Sequence, residues 1–330
     1  MTTINSVNGP ISSSDLGFTL MHEHVMISVS GLYDHYPDLL GAGREEKAIA
    51  ALKKAKSEGV DTIVDATTFD LGRNPQLLAH VARASGINII NTTGWWLDFP
   101  RHLFGVSASQ MAKEFIRDIT EGFRGTDIKA GIIKCAADFE NVTPELEVMA
   151  RAAARTHVET GLPLMVHSYP TGQVARQQIK IFREEGVDLT RVKIDHSNDT
   201  TDIEYLKWIL DQGCYLGLDR YPGQLVSPHM RTVTLKNLID AGYGDRLCPS
   251  HDCICLAIMK ENPDGSMPEE HEYARHNPHQ YLYIKKEVIP DLLLCKANIL
   301  NCLTVKSINT GLDFFFRKPE FIRRPVIKSL

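Results

Sequence analysis

The chain has 330 residues, 43% hydrophobic and 23% charged, with a formal net charge of −5, a composition that describes a globular protein with ample core material. Mild acidity argues against a nucleic-acid or anionic-membrane surface, and no apolar run reaches the ~20 residues that span a bilayer. Residues 1–10 lack the basic start and apolar core of a secretory signal, and seven cysteines without small-scaffold spacing read as thiols of a reducing compartment, so a cytoplasmic enzyme is expected.

Thr19-Leu-Met-His22-Glu23-His24-Val25 reads as the first strand. Its two histidines stand at i and i+2, a spacing that puts both imidazoles on one face of a strand. Such a pair is either half of a transition-metal site or two locally bonded histidines, and the motif alone leaves both open. Residues 44–59 read as a helix with Ile49, Leu52 and Ala55 on one stripe. Residues 61–65 form a short strand, and Asn74 caps a helix carrying Leu77, Leu78 and Val81. The strand 87–91 leads into Thr92-Thr-Gly-Trp95-Trp96-Leu97, then a helix over 107–123 and a strand over 130–134. Thr143-Pro144 opens an alanine-rich helix, with proline in the first turn where its missing N–H costs nothing. Strands over 164–167, 191–196, 214–220 and 246–252 then alternate with helices over 171–186, 201–213 and 233–242.

Eight strands alternating with helices imply right-handed crossovers and a parallel sheet, and eight such units close a (β/α)8 TIM barrel. A doubly wound open sheet is the competitor, but no GxGxxG follows the first strand. In a barrel the chemistry gathers at the C-terminal ends of the strands. Those ends carry His22, His24, Lys134, His167, His196, Arg220 and Asp252, each closing an apolar run where desolvation disfavours it. Taken together they read as a metal site.

The HxH on strand one, lysine on strand four, histidines on strands five and six and aspartate on strand eight resemble the amidohydrolase superfamily, and more closely its phosphotriesterase family. The matching motifs include Gly17-Phe-Thr-Leu-Met-His-Glu-His24, Gly131-Ile-Ile-Lys134, Asp195-His-Ser-Asn-Asp199-Thr and Ser250-His-Asp252. The resemblance implies a binuclear metal site at the C-terminal face. One metal would be held by His22, His24, Asp252 and Lys134, the lysine carboxylated by carbon dioxide, and the other by His167, His196 and the same carbamate. It further implies a metal-bridging hydroxide as nucleophile and Asp252 as its proton acceptor. Zinc is expected, with cobalt, manganese or iron as substitutes. His251 should point to the other face of its strand, and Cys253 and Cys255 read as inert thiols. The remaining histidines, His35, His80, His157 and His276 among them, read as ordinary polar residues.

Two features are similar to the lactonase branch of the family. Arg220 stands where dedicated triesterases place a histidine, and the segment from Tyr221 to the next helix is short. Arg220 is suited to hydrogen-bond Asp199 and the Asp252 region, with a structural ion pair at the rim as the alternative. Trp96, Leu97, Tyr169, Arg220 and Tyr221 are the expected substrate contacts, while Trp95 is either a contact or core. Residues 255–277 should form a lid or wall. The expected activity is therefore hydrolysis of acyl-homoserine or other γ- and δ-lactones, with weak organophosphate triesterase activity. A dedicated phosphotriesterase, another ester hydrolase or a non-catalytic binding barrel are the alternatives. The expected partner is a small-molecule lactone or ester, with no nucleic acid or membrane, and the family resemblance implies a homodimer. Residues 1–305 form the expected barrel; residues 306–330, with Phe314-Phe-Phe-Arg-Lys, make an atypical tail.

Overall fold

Alternation of side chains along each strand decides the plan of the molecule. The computed structural model describes residues 2–294 apart from 140, 224 and 278. The expected tail 306–330, and Cys295 and Cys302, lie outside the described residues. Strand β1 (Thr3–Ser6) pairs with β2 (Gly9–Ser12) in a hairpin that the sequence reading missed. The parallel strands are β3 (Thr19–Met26), β4 (Thr62–Asp65), β5 (Asn88–Gly94), β6 (Ile132–Ala136), β7 (Leu164–His167) and β8 (Val192–Ile194), followed by β9 (Tyr215–Leu218), β10 (Leu247–Pro249) and β11 (Cys253–Leu256). They form one nine-stranded sheet in the order β10-β9-β8-β7-β6-β5-β4-β3-β11, curled with its surrounding helices into a (β/α)8 barrel.

The ninth strand corrects the expected eighth. A continuous strand over 246–252 does not form. Its first half, β10, pairs with β9, and β11 beyond it pairs with β3. Between them Ser250 N donates to Leu218 O at 3.2 Å and Asp252 N donates to His22 O at 3.1 Å. The two ends of the curled sheet therefore meet at Ser250-His251-Asp252, and that joint closes the cylinder.

Helix signals in the sequence act locally. Asn74, Ser107 and Thr143 each accept a hydrogen bond from the backbone N–H three residues on, opening the helices Pro75–Ser85, Ala108–Thr120 and Pro144–Thr160. The helix expected over 233–242 is Pro228–Asp240 instead: Ser227 caps it and Pro228 occupies its first turn. Apolar periodicity begins only after that polar first turn, so pattern reading placed the start too late.

Leu20, Ile63, Ile89, Ile133, Leu164 and Leu216 face the helices in the main core. Met21, Val64, Ile90, Ile132, Met165 and Tyr215 fill the barrel interior, and Ile4 and Leu16 plug its lower end. The hairpin is pinned there by Val7 N to Ile89 O at 2.9 Å and Asn5 Nδ2 to Ala130 O at 2.9 Å. Fully burying Ile4 contributes about 1.5–3 kcal/mol. This apolar floor leaves the other end of the barrel for polar groups.

Candidate metal centre

Two residues above the floor, the period-two alternation delivers Lys134 after Ile132 and His167 after Met165 on the same inward face. Strand β3 needs an irregularity to do the same. Its register against β4 shifts between Leu20 and Glu23, which lets Met21 face the floor and His22, the very next residue, also turn inward. His24 follows on the same face, its ring centroid 5.5 Å from that of His22.

His196 and Asp252 arrive by strain. The strand expected over 191–196 ends at Ile194, and His196 lies just beyond it with φ of 59°. Asp252 has φ of 52° at the closing joint. Non-glycine residues in the left-handed region cost of order 1 kcal/mol and persist where their surroundings over-determine them. Those surroundings are visible here. Asp219 Oδ1 accepts from His196 N at 2.8 Å and contacts His196 Nδ1 at 3.0 Å. Glu23 accepts from Ser250 Oγ at 2.6 Å, His251 N at 3.1 Å, His251 Nδ1 at 2.7 Å and Cys253 N at 2.9 Å, so it grips the joint on both sides of Asp252.

The six expected ligands converge. Asp252 Oδ1 lies 3.4 Å from His22 Nε2 and 3.3 Å from His24 Nε2. Lys134 Nζ is 3.2 Å from His22 Nε2, and His196 Nε2 is 2.8 Å from His167 Nδ1. The opposite ring nitrogens are engaged behind the site. His22 Nδ1 meets Asp219 Oδ2 at 3.1 Å, His24 Nδ1 meets Thr67 Oγ1 at 2.7 Å, and His167 Nε2 faces Asp138 Oδ2 at 3.7 Å. Outer acceptors of this kind fix the tautomer and turn a ring lone pair toward the centre. Four imidazoles, a carboxylate and a buried amine suit two divalent transition ions by ligand type.

Electrostatics fit the same use. Burial, with Lys134 nearby, lowers the pKa of His24 and His167, and burial with Arg220 takes His196 well below the ordinary value, which favours neutral rings. For His22, burial and Lys134 push down, but Asp195, Asp219 and Asp252 together raise it. Burial lowers the Lys134 pKa. Asp252 resists its own burial because His22, His24, His196 and Arg220 hold its carboxyl well below the usual range.

Arg220 spans the rim, Nε donating to Asp252 Oδ2 at 3.2 Å and Nη1 to Asp199 Oδ2 at 2.7 Å. Asp199 is gripped from behind by the buried Arg231, whose Nη2 donates to Oδ1 at 2.6 Å. A cavity of about 340 Å³ opens beside Asp252, walled by Pro222, Leu225, Ile254, Tyr273, His276 and Asn277. The segment 255–277 thus supplies a wall, and His276, read as an ordinary polar residue, stands on it. Trp96 is half-buried, its Nε1 3.3 Å from His167 Nδ1. Leu97 and Tyr169 each pack against a small cluster that includes Val174, and Tyr221 is buried in the cavity wall with its ring stacked on Tyr283. Trp95 is core, against Met111 and Phe115. A larger cleft of about 650 Å³ beside Arg73 and Phe123 is lined by none of the six converging residues.

Sequence reasoning missed Glu23, Asp195, Asp219, Lys193, Thr67, Asp138 and Arg231. Lys193, Asp195 and Asp219 were signalled by polarity closing or interrupting apolar runs, as in Val192-Lys-Ile-Asp195 and Leu216-Gly-Leu-Asp219, and Glu23 and Asp195 also stand inside the quoted motifs. His251 does serve structure: its Nδ1 meets Glu23 and its Nε2 accepts from Ile284 N at 3.0 Å. Burial raises the thiol pKa of Cys253 well above its ordinary value and that of Cys255 to about 12, leaving both unreactive.

A parallel barrel whose C-terminal mouth gathers His and Asp side chains that could hold a metal ion fits a class of hydrolases, and the comparisons narrow it. The sequence profile of the phosphotriesterase family matches residues 2–300, and the chain belongs to that family. It is 39% identical to a phosphotriesterase homology protein of Mycobacterium tuberculosis, over 88% of this chain and 91% of that protein. It is 39% identical to an aryldialkylphosphatase of Saccharolobus solfataricus, over 74% and 79% respectively. It is also 24% identical to an N-acetyltaurine hydrolase of Rattus norvegicus, over 88% and 91%. No helix among the described residues is long and apolar enough to cross a membrane.

Proposed function

We propose that this hydrolase is a binuclear metal-dependent lactonase with weak organophosphate triesterase activity. His22, His24 and Asp252 would hold one ion and His167 and His196 the other, with carboxylated Lys134 shared between them; zinc is the first candidate, then cobalt, manganese or iron. When bound, the pair supplies Lewis acidity at the carbonyl and an acidified water as nucleophile.

The chain's own residues do the rest. Asp252, ionised and partly exposed to the cavity, takes the proton. Arg220 keeps Asp252 aimed while Asp199 and Arg231 anchor Arg220. The depressed basicity of Lys134 favours the neutral amine that reacts with carbon dioxide. Leu225, Ile254 and Tyr273 offer apolar surface for a lactone's ring or acyl chain, and Trp96, beside His167, would add a further contact together with Leu97 and Tyr169. The observation that carries the lactone assignment is the Arg220 bridge from Asp252 to Asp199, which occupies the rim beside the cavity with a rigid cationic fork. A cytoplasmic homodimer is part of the same proposal.

The test is a panel of acyl-homoserine lactones, γ- and δ-lactones and a paraoxon-type triester, assayed on zinc- and cobalt-loaded enzyme. The expected result is kcat/KM for at least one lactone about 100-fold above the triester, a difference of about 2.7 kcal/mol in transition-state binding. The reverse ranking overturns the lactonase reading, and a metal-replete chain inert to every substrate points to a binding protein.

A further inference from the structure

Beneath the converging imidazoles lies a lysine that the mechanism does not use. Lys193 on β8 is wholly buried, as are Asp195 and Asp219. Its ammonium pairs with Asp195 Oδ1 and lies 3.5 Å from Asp219 Oδ2. The two carboxylates serve different rings. Asp219 reaches His22 Nδ1 at 3.1 Å with one oxygen and His196 Nδ1 at 3.0 Å with the other, and Asp195 Oδ2 lies 3.1 Å from His22 Nδ1. His22 belongs to one proposed ion and His196 to the other. Space for this cluster is made by Gly217 on β9, where a Cβ would run into both carboxylates.

We propose that Lys193 is a positioning residue for both halves of the metal centre, acting through Asp219 and Asp195 on the outer nitrogens of His22 and His196; this rests on the binuclear reading above. Two carboxylates this close in a dry interior repel one another, and each is costly to bury without a partner. The ring nitrogens contribute no positive charge while the imidazoles are neutral ligands. Lys193 is then the only lysine or arginine ion-paired with either carboxylate among the described residues. Removing it releases Asp195 and Asp219 from a fixed geometry, and Asp219, the acceptor that aims both rings, is no longer held in place. Loss of such outer partners typically weakens metal binding 10–100-fold.

The experiment measures cobalt binding to the full-length wild type, Lys193→Met and the double variant Lys193→Met/Asp195→Asn. Chelator competition gives affinity, the cobalt absorption bands report coordination, and circular dichroism checks folding. The wild type should bind two ions per chain. Lys193→Met should bind at least tenfold more weakly, with altered bands. The double variant removes the orphaned carboxylate along with the cation, so it should recover affinity at least threefold over Lys193→Met. A folded Lys193→Met that binds two cobalt ions as tightly as wild type overturns the role of Lys193 alone. A double variant as weak as the single one overturns charge compensation. If Lys193→Met does not fold, the double variant decides, with affinity within tenfold of wild type supporting the proposal and any greater loss overturning it. A wild type that binds no cobalt overturns the binuclear reading and this proposal with it.

Discussion

Replacing Glu23 with glutamine changes one atom and should loosen the joint that carries Asp252. Glu23 Oε1 accepts from Ser250 Oγ, His251 N and His251 Nδ1, while Oε2 accepts from Cys253 N at 2.9 Å. Glutamine keeps one accepting oxygen. If it faces the three donors on the Ser250 side, the new NH2 confronts the Cys253 N–H and two donors are left unpaired. If the amide flips, the clash moves to His251. A buried donor without a partner costs about 1–3 kcal/mol, and hydrogen bonds to a charged acceptor are worth up to about 1 kcal/mol more each than neutral ones. The sum is about 3 kcal/mol, since such terms do not add fully. For a chain of this size that lowers Tm by about 4 °C. The assay is thermal unfolding of the metal-free protein, paired with cobalt affinity, because a released Asp252 also leaves its ligand position. An unchanged Tm together with unchanged cobalt affinity would refute the reasoning that Glu23 holds the kink.

Lys134→Ala should drop metal content below two per chain and remove nearly all turnover, with full metal and full turnover counting against its place between the ions; elemental analysis and a lactone assay decide. Arg220→Lys keeps the charge but loses the fork between Asp252 and Asp199, so kcat/KM should fall about 10–100-fold while Tm moves little, and an unchanged rate would make Arg220 a rim ion pair only. His157 supplies a clean pH response far from the ligands. Burial lowers its pKa below the ordinary 6.5, with Nδ1 donating to Leu162 O at 2.7 Å. The depressed folded pKa means the stabilisation is complete above about pH 6.5 and is lost as pH falls toward the folded value, by at most about 1.4 kcal/mol per unit. Urea midpoints from pH 7.5 to 5.5 should therefore fall less steeply for His157→Gln than for wild type, and equal slopes would reject the assignment.

Much of the barrel was legible because every barrel strand announces itself by an apolar run and several helices also by a cap such as Asn74 or Thr143. The converging residues were legible because a charged or imidazole side chain at the end of an apolar run must be desolvated, and a ligand role offsets that cost. What stayed hidden depends on contacts between distant segments. The β3 irregularity that turns both Met21 and His22 inward leaves no mark in a pattern read two residues at a time. The split of the eighth strand follows from Glu23, 227 residues away from Ser250 along the chain. Lys193, within β8, and Asp219, just past the end of β9, are polar residues whose partners only the closed barrel brings together.

The joint at Ser250-His251-Asp252 has a mechanical consequence. The hoop of strands is fastened at one place, where β10 hands its hydrogen bonds to β11. An ion gripped by His22 and His24 on one side of that seam and by Asp252 within it would act as a rivet. Occupancy and closure then become a single equilibrium, with stability rising logarithmically with free ion concentration. Stripping the ion should accelerate amide exchange along Thr19–Met26 and Cys253–Leu256 before the outer helices respond.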